Sequence, residues 1–376
     1  MTGYYGWVIE SEYHVATLPI IGIISLLVHY YYFYPSRERD KSAGDGKQSP
    51  VACCKNPNCV RCRRYRYVQE QARRKLSWIL RDLESRDPST FSTLNRRIPN
   101  AILQSGTSTS HHNDNSYSSL QDPTVLMVLD LPSREIVTDW HQDTCDYLKQ
   151  RPTRTIVSEA LRCLPEDNSN NHESLSPNRS SDDSKWTVND TSPQGDWRVF
   201  QILNQGVWNP VLLNEEYGIK KPCKELLEFV QNIPGLLGNS LFGNVFISKI
   251  YPGTIIEPHC GPTNIRHRLQ FLLKLPENAD ISKWDDDSNQ EPLLSLSVGR
   301  TNNITWDMNN DTFVFDDSFT HSVTYLDGEE DRRPIAESKD SSARMVLIVD
   351  LWHPRLSSIE RKLLTDLYPP YTSLSV

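Results

Sequence analysis

Residues Asn244–His259 read NVFISKIYPGTIIEPH. Two β-prone runs flank Pro252-Gly253, a dipeptide that marks a tight turn. In the first run Val245, Ile247 and Lys249 alternate with Phe246, Ser248 and Ile250. That period of two gives a strand with two distinct faces. Similar runs recur on either side: WRVFQILNQG upstream, then RLQFLLKL, LLSLSV, DTFVFDD and RMVLIVDLW downstream, each bounded by turn residues. Several short strands at regular spacing predict a mainly β sandwich or barrel, and a jelly-roll is the specific expectation. Helices are expected only ahead of this block. One lies within YVQEQARRKLSWILRDLES (Tyr67–Ser85), where Leu76, Ile79, Leu80 and Leu83 share a face, and another runs through IVSEALRCL (Ile156–Leu164).

The 376 residues exceed one ordinary domain, and the net charge of −8 argues against a dedicated nucleic-acid binder. The charge is uneven: residues 35–75 hold twelve Lys/Arg against four Asp/Glu. Before them, His14–Tyr34 (HVATLPIIGIISLLVHYYYFY) contains no Asp, Glu, Lys or Arg and ends in clustered aromatic rings. A span of about 20 apolar residues matches the hydrocarbon thickness, so one transmembrane anchor is expected. Arg37, Arg39, Lys41 and Lys47 follow the span and none precedes it, which by the positive-inside tendency puts the C-terminal part in the cytosol. Cys53, Cys54, Cys59 and Cys62 in CCKNPNCVRC leave three readings open: zinc, disulfide or palmitoylation.

The expected organisation is a tail (1–13), an anchor (14–34), a basic cysteine-containing juxtamembrane segment (35–83), a linker (84–122), a folded domain (123–365) and a C-terminal tail (366–376). The domain's core is 195–356, and the acidic low-complexity stretch 166–184 reads as an insertion within it.

Beyond the opening stretch comes HCGPTNIRHR (His259–Arg268), in which a strand-terminal histidine precedes two arginines spaced two apart. A second histidine, His321, follows another strand 62 residues later, and Arg344 opens RMVLIVDLW. A jelly-roll brings such strand ends together. Non-haem iron sites use a facial set of ligands, commonly two histidines and a carboxylate. Here the carboxylate position is Gly261, so spacing alone leaves a metal pair and a pair of structural histidines both open. Asp316-Asp317 reads as a turn, and His353 as structural. Asn178, Asn189, Asn303 and Asn310 begin N-x-Ser/Thr sequons.

HCGPTNIRHR, FDDSFTHSV, RMVLIVDLWHP and the upstream GDWRVFQILNQG resemble the ordered blocks of the aspartyl/asparaginyl β-hydroxylase family, whose members carry His-x-Gly in place of His-x-Asp. The resemblance implies a double-stranded β-helix with flanking helices and an Fe(II)- and 2-oxoglutarate-dependent dioxygenase that uses O2. Its substrate class would be Asp or Asn side chains of proteins. His259 and His321 match the iron ligands, and Arg344 the residue that holds the distal carboxylate of 2-oxoglutarate. Ser248 and Trp197 match a hydroxyl and an aromatic residue in the same pocket, and Arg268 a second basic residue beside it. Arg266 is expected to face an acidic substrate side chain. The family also implies an endoplasmic reticulum lumenal catalytic domain, against the charge count. Two departures stand out: Gln270 replaces a histidine, and the loop Asp327–Ser342 is long. Gln270 is the feature that keeps a non-catalytic, membrane-anchored scaffold as the alternative.

Overall fold

The alternation in Asn244–His259 is realised as two strands joined at Gly253, whose φ of +80° is the left-handed turn conformation that glycine adopts without strain. The computed structural model describes residues 57–93, 96–105, 120–164, 186–189, 194–213, 220–276, 293–307, 309–327 and 339–371, all within one compact unit, Ser49–Val376. In chain order its strands are β1 (Thr187–Val188), β2 (Trp197–Asn204), β3 (Val207–Trp208), β4 (Val245–Ile250), β5 (Thr254–His259) and β6 (Arg266–Lys274). They continue as β7 (Leu294–Val298), β8 (Thr301–Ile304), β9 (Thr312–Phe315), β10 (His321–Tyr325) and β11 (Arg344–Trp352).

These strands form two antiparallel sheets. The larger runs β1-β2-β4-β11-β6-β9, with β3 paired to β2, and the smaller runs β5-β10-β7-β8. From β4 onward the chain passes between them: β4, β6, β9 and β11 lie in the larger sheet, and β5, β7, β8 and β10 in the smaller. The fold is mainly β, as the period-two runs predict.

The period also decides what each face buries. Val245, Ile247, Leu269, Phe271, Leu347 and Val349 turn outward onto a helical layer. That layer contains α4 (Gln142–Gln150), α5 (Thr153–Cys163) and α7 (Lys221–Gln231); the short α6 spans Pro210–Leu213. Phe246, Ile250, Leu272, Val346 and Ile348 turn inward and meet Leu294, Leu296, Val298 and Val323 of the smaller sheet.

A third cluster joins α1 (Tyr65–Arg86), α3 (Arg97–Gln104) and α8 (Ser358–Leu367). The sequence reading treats 84–122 as linker, and here the structure differs. Pro88–Thr93 forms α2, and α3 buries Ile98, Ala101 and Ile102, whose spacing of three and four gives one apolar stripe. Arg97 then pairs with Glu360 at 2.6 and 2.8 Å, both largely buried. Glu360 also closes a capping box with Ser357 at the start of α8, so one carboxylate caps a helix and ties α3 to it.

The expected anchor 14–34, Cys53 and Cys54, and the insertion 166–184 lie outside the described residues. Among the described residues no helix is long and apolar enough to cross a membrane.

Candidate active site

β5 ends at His259 and β10 begins at His321, and the register places these two residues directly opposite each other. Their ring centroids are 4.2 Å apart with the planes inclined at 53°. Each ring is oriented by its own backbone. Nδ1 of His259 donates to the Glu257 carbonyl at 2.7 Å, and Nδ1 of His321 to the Phe319 carbonyl at 2.9 Å. A carbonyl can only accept, so both Nδ1 atoms carry the proton and both Nε2 lone pairs are left for a ligand. This backbone bond is the usual outer support of a metal-binding imidazole. Burial, then the mutual effect of His321 and the charge of Arg61, keeps His259 neutral far below the ordinary histidine range. Burial also brings His321 down to about 4, against the opposing influence of Asp317.

Among the described residues no three His, Cys, Asp or Glu side chains converge as a metal cluster. The reason at the carboxylate position is steric. A Cβ on Gly261 would stand 2.5 Å from the Asp317 carboxylate, and the Gly261 N–H already donates to the Asp317 carbonyl at 2.6 Å. A carboxylate side chain at position 261 is thus excluded by packing.

Trp197, Ser248, Arg268, Gln270 and Arg344 lie on strands of the larger sheet. By register they share its inward face: Trp197 and Arg344 are each opposite Ile250, Ser248 is opposite Val346, and Gln270 is opposite Ile348. The Phe315 ring, from β9, reaches His321 across the gap at 5.2 Å. Trp197 Nε1 donates to Ser248 Oγ at 3.1 Å, which leaves the serine hydrogen to serve another acceptor.

Arg344 is 1% exposed, and its guanidinium lies 3.9 Å from the centroid of the buried Trp306 ring. Nη2 donates to Gln270 Oε1 at 3.2 Å, Nε has no acceptor, and no carboxylate pairs with the group among the described residues. Burial accordingly lowers its pKa to about 9. An uncompensated buried cation is costly, and an anionic ligand offsets that cost.

The two arginines of HCGPTNIRHR occupy the same face of β6 because they are two apart. Arg266, expected to face an acidic substrate, sits elsewhere: it is 3% exposed within an internal ion cluster. Its Nη2 and Nε meet Asp317 at 2.5 and 3.2 Å, and Nη1 meets Asp350 at 2.7 Å and the Phe242 carbonyl at 2.5 Å. Arg268 pairs with Asp350 at 2.9 and 3.1 Å and approaches Asp317 at 3.6 Å. Asn244 adds a bond to Asp350 at 2.8 Å. Two cations and two anions balance, and Arg266 has no donor edge to spare for a substrate. Breaking a buried pair typically costs about 3–5 kcal/mol. Asp317→Asn should therefore lower stability by roughly 3 kcal/mol, Asp350 still compensating one charge, as measured by urea unfolding.

The turn Asp316-Asp317 is as expected, yet both side chains are buried. Asp316 is held by Ser318, Ser133 and Gln121, and burial reinforced by the neighbouring Asp317 charge raises its pKa to about 7. A carboxyl with a raised folded-state pKa binds its proton more tightly when folded. Its contribution to stability is present below about pH 4 and falls as pH rises towards 7. Asp316→Asn should flatten that part of the pH–stability profile, as followed by thermal unfolding across it.

His267, on the opposite face of β6, joins a separate buried group. Its Nδ1 lies 2.8 Å from His141 Nε2, and its ring centroid 4.5 Å from that of His353. His353 donates to the Pro132 carbonyl at 2.9 Å and accepts from the Arg355 N–H at 3.1 Å, the structural role expected of it. The sequence assigns no site role to Asp317, Asp350, Trp306 or Arg61. Three of them stand in quoted stretches, Asp317 in FDDSFTHSV, Asp350 in RMVLIVDLWHP and Arg61 in CCKNPNCVRC, and only Trp306 lies outside them. Val60, next to Arg61, donates to Gln205 Oε1 at 3.2 Å, and the charge of Arg61 reaches both site histidines.

The aspartyl/asparaginyl beta-hydroxylase family model matches residues 150–354, more than half of the chain. Human aspartate beta-hydroxylase domain-containing protein 2 is 28% identical over 96% of this chain and 86% of its own length. The Xenopus tropicalis protein of that name is 29% identical over 88% of this chain and 74% of its own. Mouse aspartyl/asparaginyl beta-hydroxylase is 29% identical over 45% of this chain and 18% of its own length. The matched region spans both histidines, the ion cluster and Arg344, and the chain belongs to the aspartyl/asparaginyl β-hydroxylase family.

Proposed function

We propose that the chain is an Fe(II)- and 2-oxoglutarate-dependent dioxygenase that hydroxylates the β-carbon of Asp or Asn side chains in a protein substrate. The alternation of strands between two sheets supports reading the domain as a double-stranded β-helix. One observation carries the functional reading. Two imidazoles with free Nε2 atoms and a buried, uncompensated Arg344 share one inter-sheet space.

The residues present fit the implied groups. His259 and His321 would hold ferrous iron and leave its remaining positions to exchangeable ligands. Arg344 would receive the distal carboxylate of 2-oxoglutarate, with a second donor in the Ser248 hydroxyl that Trp197 orients. When bound, the iron would provide the place where O2, the oxidant, is activated, with 2-oxoglutarate as the co-reductant that leaves as succinate and carbon dioxide. The chain's own part is to bind, orient and keep water out. The cluster of Arg266, Arg268, Asp317 and Asp350 ties β6 to the turn that precedes His321, which supports the geometry of the histidine pair. The apolar span 14–34 further supports a single-pass membrane protein, and family resemblance a lumenal catalytic domain.

A non-catalytic scaffold is the second reading, and Gln270 favours it. Its neutral amide accepts from Arg344 where the family pattern has a titratable imidazole. Full-length protein with Fe(II), 2-oxoglutarate and O2, offered peptides containing Asp and Asn, separates the two. The enzyme adds one oxygen atom to an Asp- or Asn-containing peptide by mass spectrometry and releases equimolar succinate. Absence of both products in wild type and in Gln270→His would leave the scaffold.

A further inference from the structure

Away from this site, a cavity of about 540 Å³ opens between the loop after α7 and the end of β11. Trp208, Gln231, Gly235, Asn239, Trp352 and Arg361 are among its lining residues, and among the described residues none of the lining is acidic. Trp352 lies eight residues along β11 from Arg344, about 27 Å at the usual rise of a strand, so the cavity is distinct from the candidate active site.

Arg361 gives the cavity its chemistry. It rises from α8 and stands 6.0 Å from the centroid of the Trp352 ring. Nη2 makes one long bond, 3.5 Å, to the His353 carbonyl, and the buried Nε has no acceptor. Among the described residues no Asp or Glu pairs with it. Burial alone shifts its pKa, downward, with no neighbouring acid to oppose the effect. A guanidinium keeps its charge in nearly every protein setting, and its planar fork matches a carboxylate in two parallel hydrogen bonds. Here the fork lies beside one indole wall, with a second, Trp208, in the same lining. A cation without an anion, in a mostly polar lining that also holds two indoles, suits a small ligand with a carboxylate at one end and a flat ring at the other.

We propose that this cavity is a binding site for a small organic carboxylate, with Arg361 as its charged partner and Trp208 and Trp352 among its lining. The proposal is independent of the dioxygenase reading, because none of these residues belongs to the histidine–Arg344 site.

Phenylacetate, its neutral amide phenylacetamide and inorganic phosphate serve as probes of the full-length protein, observed by ligand-detected NMR and tryptophan fluorescence. A charge-assisted hydrogen bond is worth about 1.5–3 kcal/mol, which corresponds to at least about tenfold in affinity. Phenylacetate should bind saturably, the amide at least about tenfold more weakly, and 2-oxoglutarate should not displace it. Arg361→Gln should weaken phenylacetate to the level of the amide while leaving 2-oxoglutarate binding unchanged. Equal binding of acid and amide would overturn the proposal, and that comparison needs no variant. So would tighter binding of phosphate than of phenylacetate, displacement by 2-oxoglutarate, or full affinity in folded Arg361→Gln.

Discussion

Alanine at either His259 or His321 should abolish stoichiometric binding of Fe(II), or of Mn(II) as its redox-inert substitute. Two imidazoles are the protein ligands of the proposed metal, and position 261 is closed to a carboxylate side chain by Asp317. Disturbing even an outer-shell partner of a metal ligand costs about 10–100-fold in affinity, so losing one of two ligands should exceed about 100-fold. The fold should survive. Among the described residues each ring makes one hydrogen bond, to the backbone carbonyl two residues before it, and the ion cluster does not use it. Isothermal titration with either metal, alongside circular dichroism, reads both parts. Wild-type metal content in both alanine variants would sink the assignment.

Arg344→Ala should keep the metal and lose 2-oxoglutarate. The guanidinium is buried against Trp306 and has one neutral side-chain partner, Gln270, so a carboxylate there would be its main charged contact. Truncating one member of a buried charge pair costs about 3–5 kcal/mol, equivalent to at least about 100-fold weaker binding. Without its ligand the same substitution should be mild in stability, because it removes an uncompensated cation. Calorimetric titration of 2-oxoglutarate into the Mn(II)-loaded variant checks the first point, and thermal unfolding the second. Gln270→His should act in the opposite sense on affinity, tightening 2-oxoglutarate if Gln270 is a weakened form of the family's residue.

Much of the site was legible from one dimension because strands have a fixed period. Arg266 and Arg268 had to share a face of β6, with His267 on the other, and they do. The pairing of His259 with His321 followed from their places at strand ends once a jelly-roll was expected. What period cannot show is which distant partner a side chain meets. Asp317 and Asp350 lie 51 and 84 residues from Arg266, and an arginine facing a substrate is spelled like one in an internal ion pair. That is why the role expected of Arg266 fails while its position holds. The stretch 96–105 was misread for a different reason. Its apolar stripe is barely two turns long and runs into a Ser/Thr/Asn-rich segment, so its composition resembles a linker until Glu360 reaches Arg97 from the far end of the chain.

The central claim is that the histidine pair and Arg344 form one site for a metal and a dicarboxylate. Titrating 2-oxoglutarate into oxygen-free full-length protein, with and without Mn(II), tests it most directly. The account predicts one equivalent bound with the metal, much weaker binding without it, and loss of the metal-dependent component in His321→Ala. Binding that is indifferent to the metal, or no binding at millimolar 2-oxoglutarate in the loaded wild type, would contradict it.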